Sequence, residues 1–264
     1  PNGMSDKMNL KTIIYFPQLF LSASLLLLSN SSLAVSEPEM VLIKGGCFQM
    51  GSKAYKDEQP IHKVCVKDFY MGKHEVTFAQ YDEYAEAKGK PRPDDKGWGR
   101  GSRPVINVSF NDARNYARWL GKATSKRYRI PSEAQWEYAA RGGTTSSWFW
   151  GNEDFTFDTF ANCQRDECGD DFTNTAPVGS FMANPYGLHD MAGNVWEWTN
   201  DCSNKSYENA PADGSSWLDG DCQFRVIRGG SWSYSISALR SANRYYFERT
   251  TRDSYGGFRL IFLK

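Results

Sequence analysis

Three histidines, six cysteines and one serine set between glycine and tryptophan are the residues best equipped for chemistry, and their spacing restricts what they can do. His62, His74 and His189 stand far apart along the chain. They show neither the paired spacing of a zinc hydrolase helix nor an obvious facial triad, so structural roles are expected for them. Ser231, in Arg228-Gly229-Gly230-Ser231-Trp232, has no Gly-x-Ser-x-Gly elbow around it and no cue for a histidine–acid relay. Gly229-Gly230 is not followed by the Lys-Ser/Thr of a phosphate loop. Cys47, Cys65, Cys163, Cys168, Cys202 and Cys222 include no Cys-x-x-Cys pair and are too dispersed for a compact zinc module.

Disulfides are the remaining use for the cysteines, and they require an oxidising compartment. The N-terminus is consistent with one. Lys7 and Lys11 precede a mostly apolar run from Ile13 to Leu28, and Ser32-Leu33-Ala34 supplies small residues for a signal peptidase. Residues 1–34 are therefore read as an export signal and 35–264 as the mature domain, secreted, periplasmic or at the cell surface. The alternative, a retained membrane anchor, is opposed by Pro17 and by a run shorter than the ~20 residues that span a bilayer. No membrane span is expected after signal removal. Sequence leaves the cysteine pairing open, but proximity and turn residues favour Cys47 with Cys65, Cys163 with Cys168, and Cys202 with Cys222.

The elements that must position these residues follow from periodicity and caps. With 40% hydrophobic and 15% aromatic residues, the chain can bury a substantial core. Met40–Ile43 and Cys47–Gly51 flank Gly45-Gly46 and read as a hairpin, followed by an alternating stretch from Lys63 to Met71. Thr77 caps a helix through Glu86. Ser109, with Asp112 three residues on, opens a second helix with Gly121 as its candidate stop, and Ser132 with Gln135 opens a third that Gly142-Gly143 ends. From Thr144 onward Gly, Asn, Asp, Ser and aromatics dominate, so the expected class is a loop-rich α+β domain with little regular structure. Lys+Arg and Asp+Glu both number 31, so no global field draws the chain to nucleic acid or an anionic membrane, and no nucleic-acid partner is expected.

Four motifs in order, Pro131 to Tyr138, Gly193-Asn194-Val195-Trp196-Glu197-Trp198, Arg228-Gly229-Gly230-Ser231-Trp232 and Gly257-Phe258-Arg259, resemble the signature of the formylglycine-generating enzyme, or sulfatase-modifying factor, family. That resemblance implies a C-type-lectin-like fold across essentially the whole mature domain. In the family's copper oxidases two cysteines follow the Arg-Gly-Gly-Ser box; Tyr234 and Leu239 stand at the matching positions here. Neither a phenol nor an isobutyl group replaces the soft sulfur donors of copper(I), so no copper is expected. The related sulfoxide synthases draw iron-binding histidines from an additional helical domain, and neither that domain nor iron chemistry of that type is expected here.

The resemblance also implies two structural calcium sites, and calcium takes six to eight hard oxygens. At the first, Asn162 and Asp170 would supply side chains, and Cys163 and Phe172 main-chain carbonyls. At the second, Asp190 and Glu197 would supply carboxylates around the carbonyls of Gly193 and Val195. The alternative at this second place is a metal-free turn hydrogen-bonded by the same carboxylates.

The segment after Trp232 has another character. Ser233, Tyr234, Ser235, Ile236, Ser237, Tyr245, Tyr246, Phe247, Asp253 and Tyr255 surround the frame Leu239–Arg244. Tyrosine gives rigid amphipathic area and serine adaptable hydrogen bonds, the composition of a paratope, so these residues are candidates for binding a protein or glycan ligand. Inward packing as ordinary core is the alternative. The layout also resembles the C-terminal variable region of lectin-fold proteins diversified by retroelements. Two functions are therefore carried forward: an exported non-catalytic binding protein, and an exported oxidoreductase resembling the pyoverdine-maturation members of the superfamily.

Overall fold

The computed structural model describes residues 2–3, 35–152 and 157–263. The expected export signal, whose charged and apolar parts fall within 4–34, lies outside the described residues. In chain order the elements are β1 (Met40–Ile43), β2 (Gly46–Met50), β3 (His62–Val66), β4 (Phe69–Gly72), α1 (Phe78–Ala87), α2 (Phe110–Thr124), β5 (Tyr128–Arg129), α3 (Glu133–Arg141), α4 (Phe157–Phe160), α5 (Arg165–Cys168), β6 (Trp196–Ser203), β7 (Asp221–Arg228), β8 (Arg244–Glu248), β9 (Gly256–Gly257) and β10 (Ile261–Leu263). The class is α+β with short helices and many strands, as expected.

Each of α1, α2 and α3 begins in a complete capping box: Thr77 with Gln80, Ser109 with Asp112, and Ser132 with Gln135. The cap hydroxyl satisfies one otherwise orphaned N–H while the third helical side chain reaches back for another. α3 stops as expected at Gly142, which takes a left-handed conformation. α2 does not stop at Gly121. It continues to Thr124 and ends on left-handed Ser125, because Gly121 serves a close approach instead: a Cβ there would lie 2.6 Å from the Lys126 carbonyl oxygen.

The expected hairpin around Gly45-Gly46 is not formed. β1 pairs with β4, Met40 opposite Gly72 and Ile43 opposite Phe69, whereas β2 pairs with β3 in a separate sheet with Cys47 opposite Cys65. Gly45 is needed because the chain passes over the β3–β4 junction, where a Cβ would sit 2.5 Å from the Val66 carbonyl oxygen. The alternating stretch from Lys63 to Met71 is accordingly two strands in two sheets, broken at Lys67-Asp68. All three disulfides join the cysteines expected to pair.

The sheet β1-β4-β10-β5 ties the two ends of the domain together, and β8-β7-β6-β9 carries the motifs. Between the latter and helices α1 and α2 lies the main core, with Trp196, Trp198, Ile227 and Phe258 packed against Phe78, Tyr81, Phe110 and Tyr116. Tyr81 stacks on Tyr116 at 5.6 Å between ring centres, which locks α1 to α2. Among the described residues, no helix is long and apolar enough to cross a membrane.

Candidate functional site

The Arg-Gly-Gly-Ser-Trp box begins on the last residue of β7. Arg228, its first residue, is fully buried and donates to Glu133 at 2.9 Å, Glu137 at 2.5 Å and the Ser241 carbonyl at 2.7 Å. This fastens α3 to the sheet and to the turn before β8. Gly229 has a φ of 97°, and a Cβ on it would lie 3.1 Å from the Trp136 ring. Gly230 lets Leu239 pack in, since a Cβ would meet the Leu239 Cδ1 at 2.4 Å. Leu239 belongs to the apolar cluster of Trp148, Phe149 and the Cys163–Cys168 disulfide, whereas Tyr234 packs against the main core. No cysteine is free.

Five of the expected ligand-binding residues lie near one another. Tyr234 stands edge-on to buried Trp196 at 5.3 Å and to Tyr255 at 5.9 Å; Tyr245 leans on Trp196 at 6.1 Å; Phe247 meets Trp198 at 6.1 Å. Ser233 is half-buried beside Tyr234. Trp232 is half-buried: its ring stacks on Tyr255, meets Trp98 edge-on at 5.1 Å, and its Nε1 donates to the Ser254 carbonyl at 3.0 Å. The result is an aromatic face of Trp98, Trp232, Tyr234, Tyr245, Phe247 and Tyr255, held from beneath by Trp196 and Trp198. Trp98 was not found in the sequence because it comes from a glycine-rich loop more than a hundred residues before the box; only its isolation between Gly97 and Gly99 marks it.

The other expected residues are placed elsewhere. Ser235, Ile236 and Ser237 adjoin α5: the Ile236 N–H donates to Glu167 at 2.7 Å and its carbonyl accepts from Trp148 Nε1 at 3.2 Å. Tyr246 takes the alternate register position on β8, opposite Val226, where it meets Phe224 at 5.7 Å while its ring stacks on Tyr245 at 5.6 Å. Beside it opens a cavity of about 670 Å³ lined by residues including Asp57, Asn204, Lys205 and Asp221. Asp253 shapes the turn, accepting the Tyr255 N–H at 3.0 Å, and burial raises its pKa.

The expected calcium ligands differ in how far their oxygens are already engaged. Asn162 Oδ1 is buried without a hydrogen-bond partner, which suits a cation. Asp170 accepts from Phe172 N–H at 2.8 Å and from Cys163 N–H at 3.4 Å, and burial raises its pKa. At the second place Asp190 Oδ1 is likewise buried and unpartnered, and Gly193 has a φ of 85° with no room for a Cβ against Asn162. Val195 is buried in the main core below it. Glu197 fits less well: Arg259 and Trp136 bond both of its oxygens. Glu75, unnoticed in the sequence, supplies a further buried carboxylate beside Asp190; burial and then the charge of Asp190 raise its pKa well above the ordinary value.

Folding also brings together two histidines that sequence separates. His74 and His189 lie 5.0 Å apart ring to ring, and burial, with Arg259 and His189 next, lowers the His74 pKa to about 4. His62 packs on Tyr207 at 5.0 Å.

Residues 28–263 match the Sulfatase-modifying factor enzyme 1-like domain, and the chain belongs to that family. It is 33% identical over 246 residues to "Serine/threonine-protein kinase pkn1" of Chlamydia caviae, covering 84% of this chain and 37% of that protein, so it spans little more than a third of that relative. It is 34% identical over 224 residues to the formylglycine-generating enzyme of Mycobacterium tuberculosis, covering 61% of this chain and 73% of that one. Two solved structures share the fold: PvdO from Pseudomonas aeruginosa, with a TM-score of 0.80, 34% identity and coverage of 86% of this chain and 95% of that chain, and Treponema denticola variable protein 1, with 0.74, 25%, 85% and 95%.

Proposed function

We propose that this member of the sulfatase-modifying-factor family is an exported, non-catalytic binding protein that takes a protein or glycan ligand on its aromatic face. The observation that carries the reading is the combination of exposure and rigid support: Tyr245 is 49% exposed, yet its ring rests on fully buried Trp196. Large apolar groups presented in this way mark interaction surfaces. The likeness to a variable protein of Treponema supports it, as does the pairing of every cysteine, which suits an oxidising compartment.

Binding energy concentrates in a few aromatic anchors. Tyr234→Ala, Tyr245→Ala and Tyr255→Ala should each weaken a ligand found by glycan-array or cell-surface screening by roughly thirtyfold, about 2 kcal/mol, with the melting temperature barely changed for exposed Tyr245 and lowered modestly for half-buried Tyr234 and Tyr255. Trp196→Ala should instead cost about 3–5 kcal/mol of stability. Tyrosine variants that bind like wild type, or that unfold like Trp196→Ala, would end this reading.

The likeness to PvdO and to a formylglycine-generating enzyme favours a second reading, an exported oxidoreductase. Tyr234 and Leu239, in two different apolar clusters and without a thiol, argue against copper-thiolate chemistry. A sulfatase-derived cysteine peptide incubated with protein, copper and oxygen should keep its mass; conversion of thiol to aldehyde above a protein-free control would favour the oxidoreductase. Calcium is the proposed structural ion. Asn162 with Asp170, and Asp190 with Glu75, would hold it through side chains, and Cys163, Phe172, Gly193 and Val195 through carbonyls, with Glu197 acting as the anchor of Arg259.

A further inference from the structure

A cluster of arginines borders the aromatic face. Arg225, on β7, stands opposite Phe247 of β8 in the sheet register, two residues along from the Ile227–Tyr245 pair, so it shares their side of the sheet. Arg114 comes from α2, and its guanidinium and that of Arg225 both lie over the Phe110 ring, at 5.6 and 4.7 Å. Arg118 follows one turn later on α2, and Arg249 follows β8, its N–H bonded to the Gln223 carbonyl at 2.8 Å. Burial first, then Arg118 and Arg249, lowers the pKa of Arg114; burial, then Arg114 and Arg249, lowers that of Arg225.

Neutralisation within the chain is sparse. Nearby Arg252 pairs with Asp112 at 2.8 Å, but the side chains of Arg114, Arg118 and Arg249 have no hydrogen-bond or ion-pair partner among the described residues. Arg225 is only 7% exposed; its Nη1 donates to the Asn200 carbonyl at 2.8 Å and its Nε is buried without an acceptor. Asp201, the carboxylate acting on Arg225 from a distance, is bonded by the N–H groups of Glu133 and Trp217, and burial with Glu133 pushes its pKa to about 7. Leaving guanidinium donors buried and crowded by like charge is costly. Their forked donors match a tetrahedral oxyanion bidentately, and such an anion would neutralise their like charge.

We propose that Arg114, Arg225 and Arg249, with Arg118 at the rim, form an oxyanion subsite for a sulfate or phosphate ester on a saccharide whose rings lie on the adjoining aromatic face. The saccharide part rests on the binding function proposed above; the oxyanion part rests on the arginines alone.

The test is calorimetric titration of one oligosaccharide in sulfated, phosphorylated and unesterified forms and of a short peptide in sulfated and phosphorylated forms, with inorganic sulfate as the bare anion. Proteins compared are wild type, Arg114→Gln, Arg249→Gln, the double variant and Tyr245→Ala. At least one ester should bind wild type with an affinity that falls as salt rises, and whichever binds identifies the source of the oxyanion. The unesterified sugar should bind about tenfold or more weakly, and each arginine variant should lose about tenfold. Sulfate should raise the melting temperature of wild type and not of the double variant. The arginine variants should melt no lower than wild type in low salt, because removing a like-charged neighbour relieves repulsion. Equal binding of all three sugars, or arginine variants that bind the esters like wild type, would overturn the subsite. Loss in the arginine variants with none in Tyr245→Ala would keep the subsite and reject the aromatic face. Equal binding of a sulfated or phosphorylated peptide would reject the saccharide.

Discussion

Arg259 grips Glu197 with its Nε 2.8 and 2.7 Å from the two carboxylate oxygens and an Nη2 at 2.7 Å from the first, while its other donors reach the carbonyls of Gly72 and His189. Both residues are essentially inaccessible to water. The pair thus joins the closing Gly-Phe-Arg motif to the Trp-Glu-Trp box and to β4. Removing one partner strands a buried charge, so Glu197→Ala should destabilise by about 3–5 kcal/mol in urea unfolding. A Glu197→Gln, Arg259→Met double variant should recover part of that loss; a single variant as stable as wild type would contradict the clamp.

Calcium should raise the melting temperature, since an ion bound only by the native state stabilises it by about 2.7 kcal/mol at a hundredfold excess over Kd. Asn162→Ala and Asp190→Ala should each remove part of that shift. Glu197→Ala is unsuitable for this purpose, as it breaks the ion pair first. An unchanged melting temperature after thorough chelation would support the metal-free turns.

The disulfides should differ in weight because they close loops of different length. Sequence separations of 18 for Cys47–Cys65 and 5 for Cys163–Cys168 correspond to about 3 and about 2 kcal/mol of denatured-state entropy. Paired Cys→Ser variants followed by denaturant unfolding should preserve that order. Labelling of unfolded, unreduced protein should detect no thiol.

His74 should make stability fall in mild acid. Its native pKa of about 4 lies below its ordinary 6.5, so between these values the unfolded state binds the extra proton. The contribution is complete above pH 6.5 and is lost progressively as pH falls to about 4. Unfolding of His74→Gln should therefore show a smaller loss of stability from pH 7 to pH 4.5 than wild type, with the flanking Lys73, Glu39, His189 and Arg259 retained. Parallel curves for the two proteins would remove His74 from that role.

Local physics was readable in the sequence. The three capping boxes depend on residues three apart, so Thr77, Ser109 and Ser132 announced their helices without knowledge of the rest of the chain. The cysteine pairs were legible because each joins nearby segments, and the motif order identified the family and with it the fold. Tertiary structure decided what depends on distant partners. Strand pairing set Met40 against Gly72 and left Gly45-Gly46 as a close passage rather than a turn, since a strand's N–H and C=O groups accept whichever edge the fold presents. It also decided that Tyr234, Tyr245 and Tyr255 share a face with Trp98 while Ile236 and Tyr246 do not, because alternation along β8 and the turn before it divide neighbouring residues between surfaces. Glu197 carries a carboxylate suited to calcium, but only folding brought Arg259 from 62 residues away to occupy it, and the guanidiniums of Arg114, Arg118, Arg225 and Arg249 come from two turns of α2, from β7 and from the residue after β8, which are neighbours only in three dimensions.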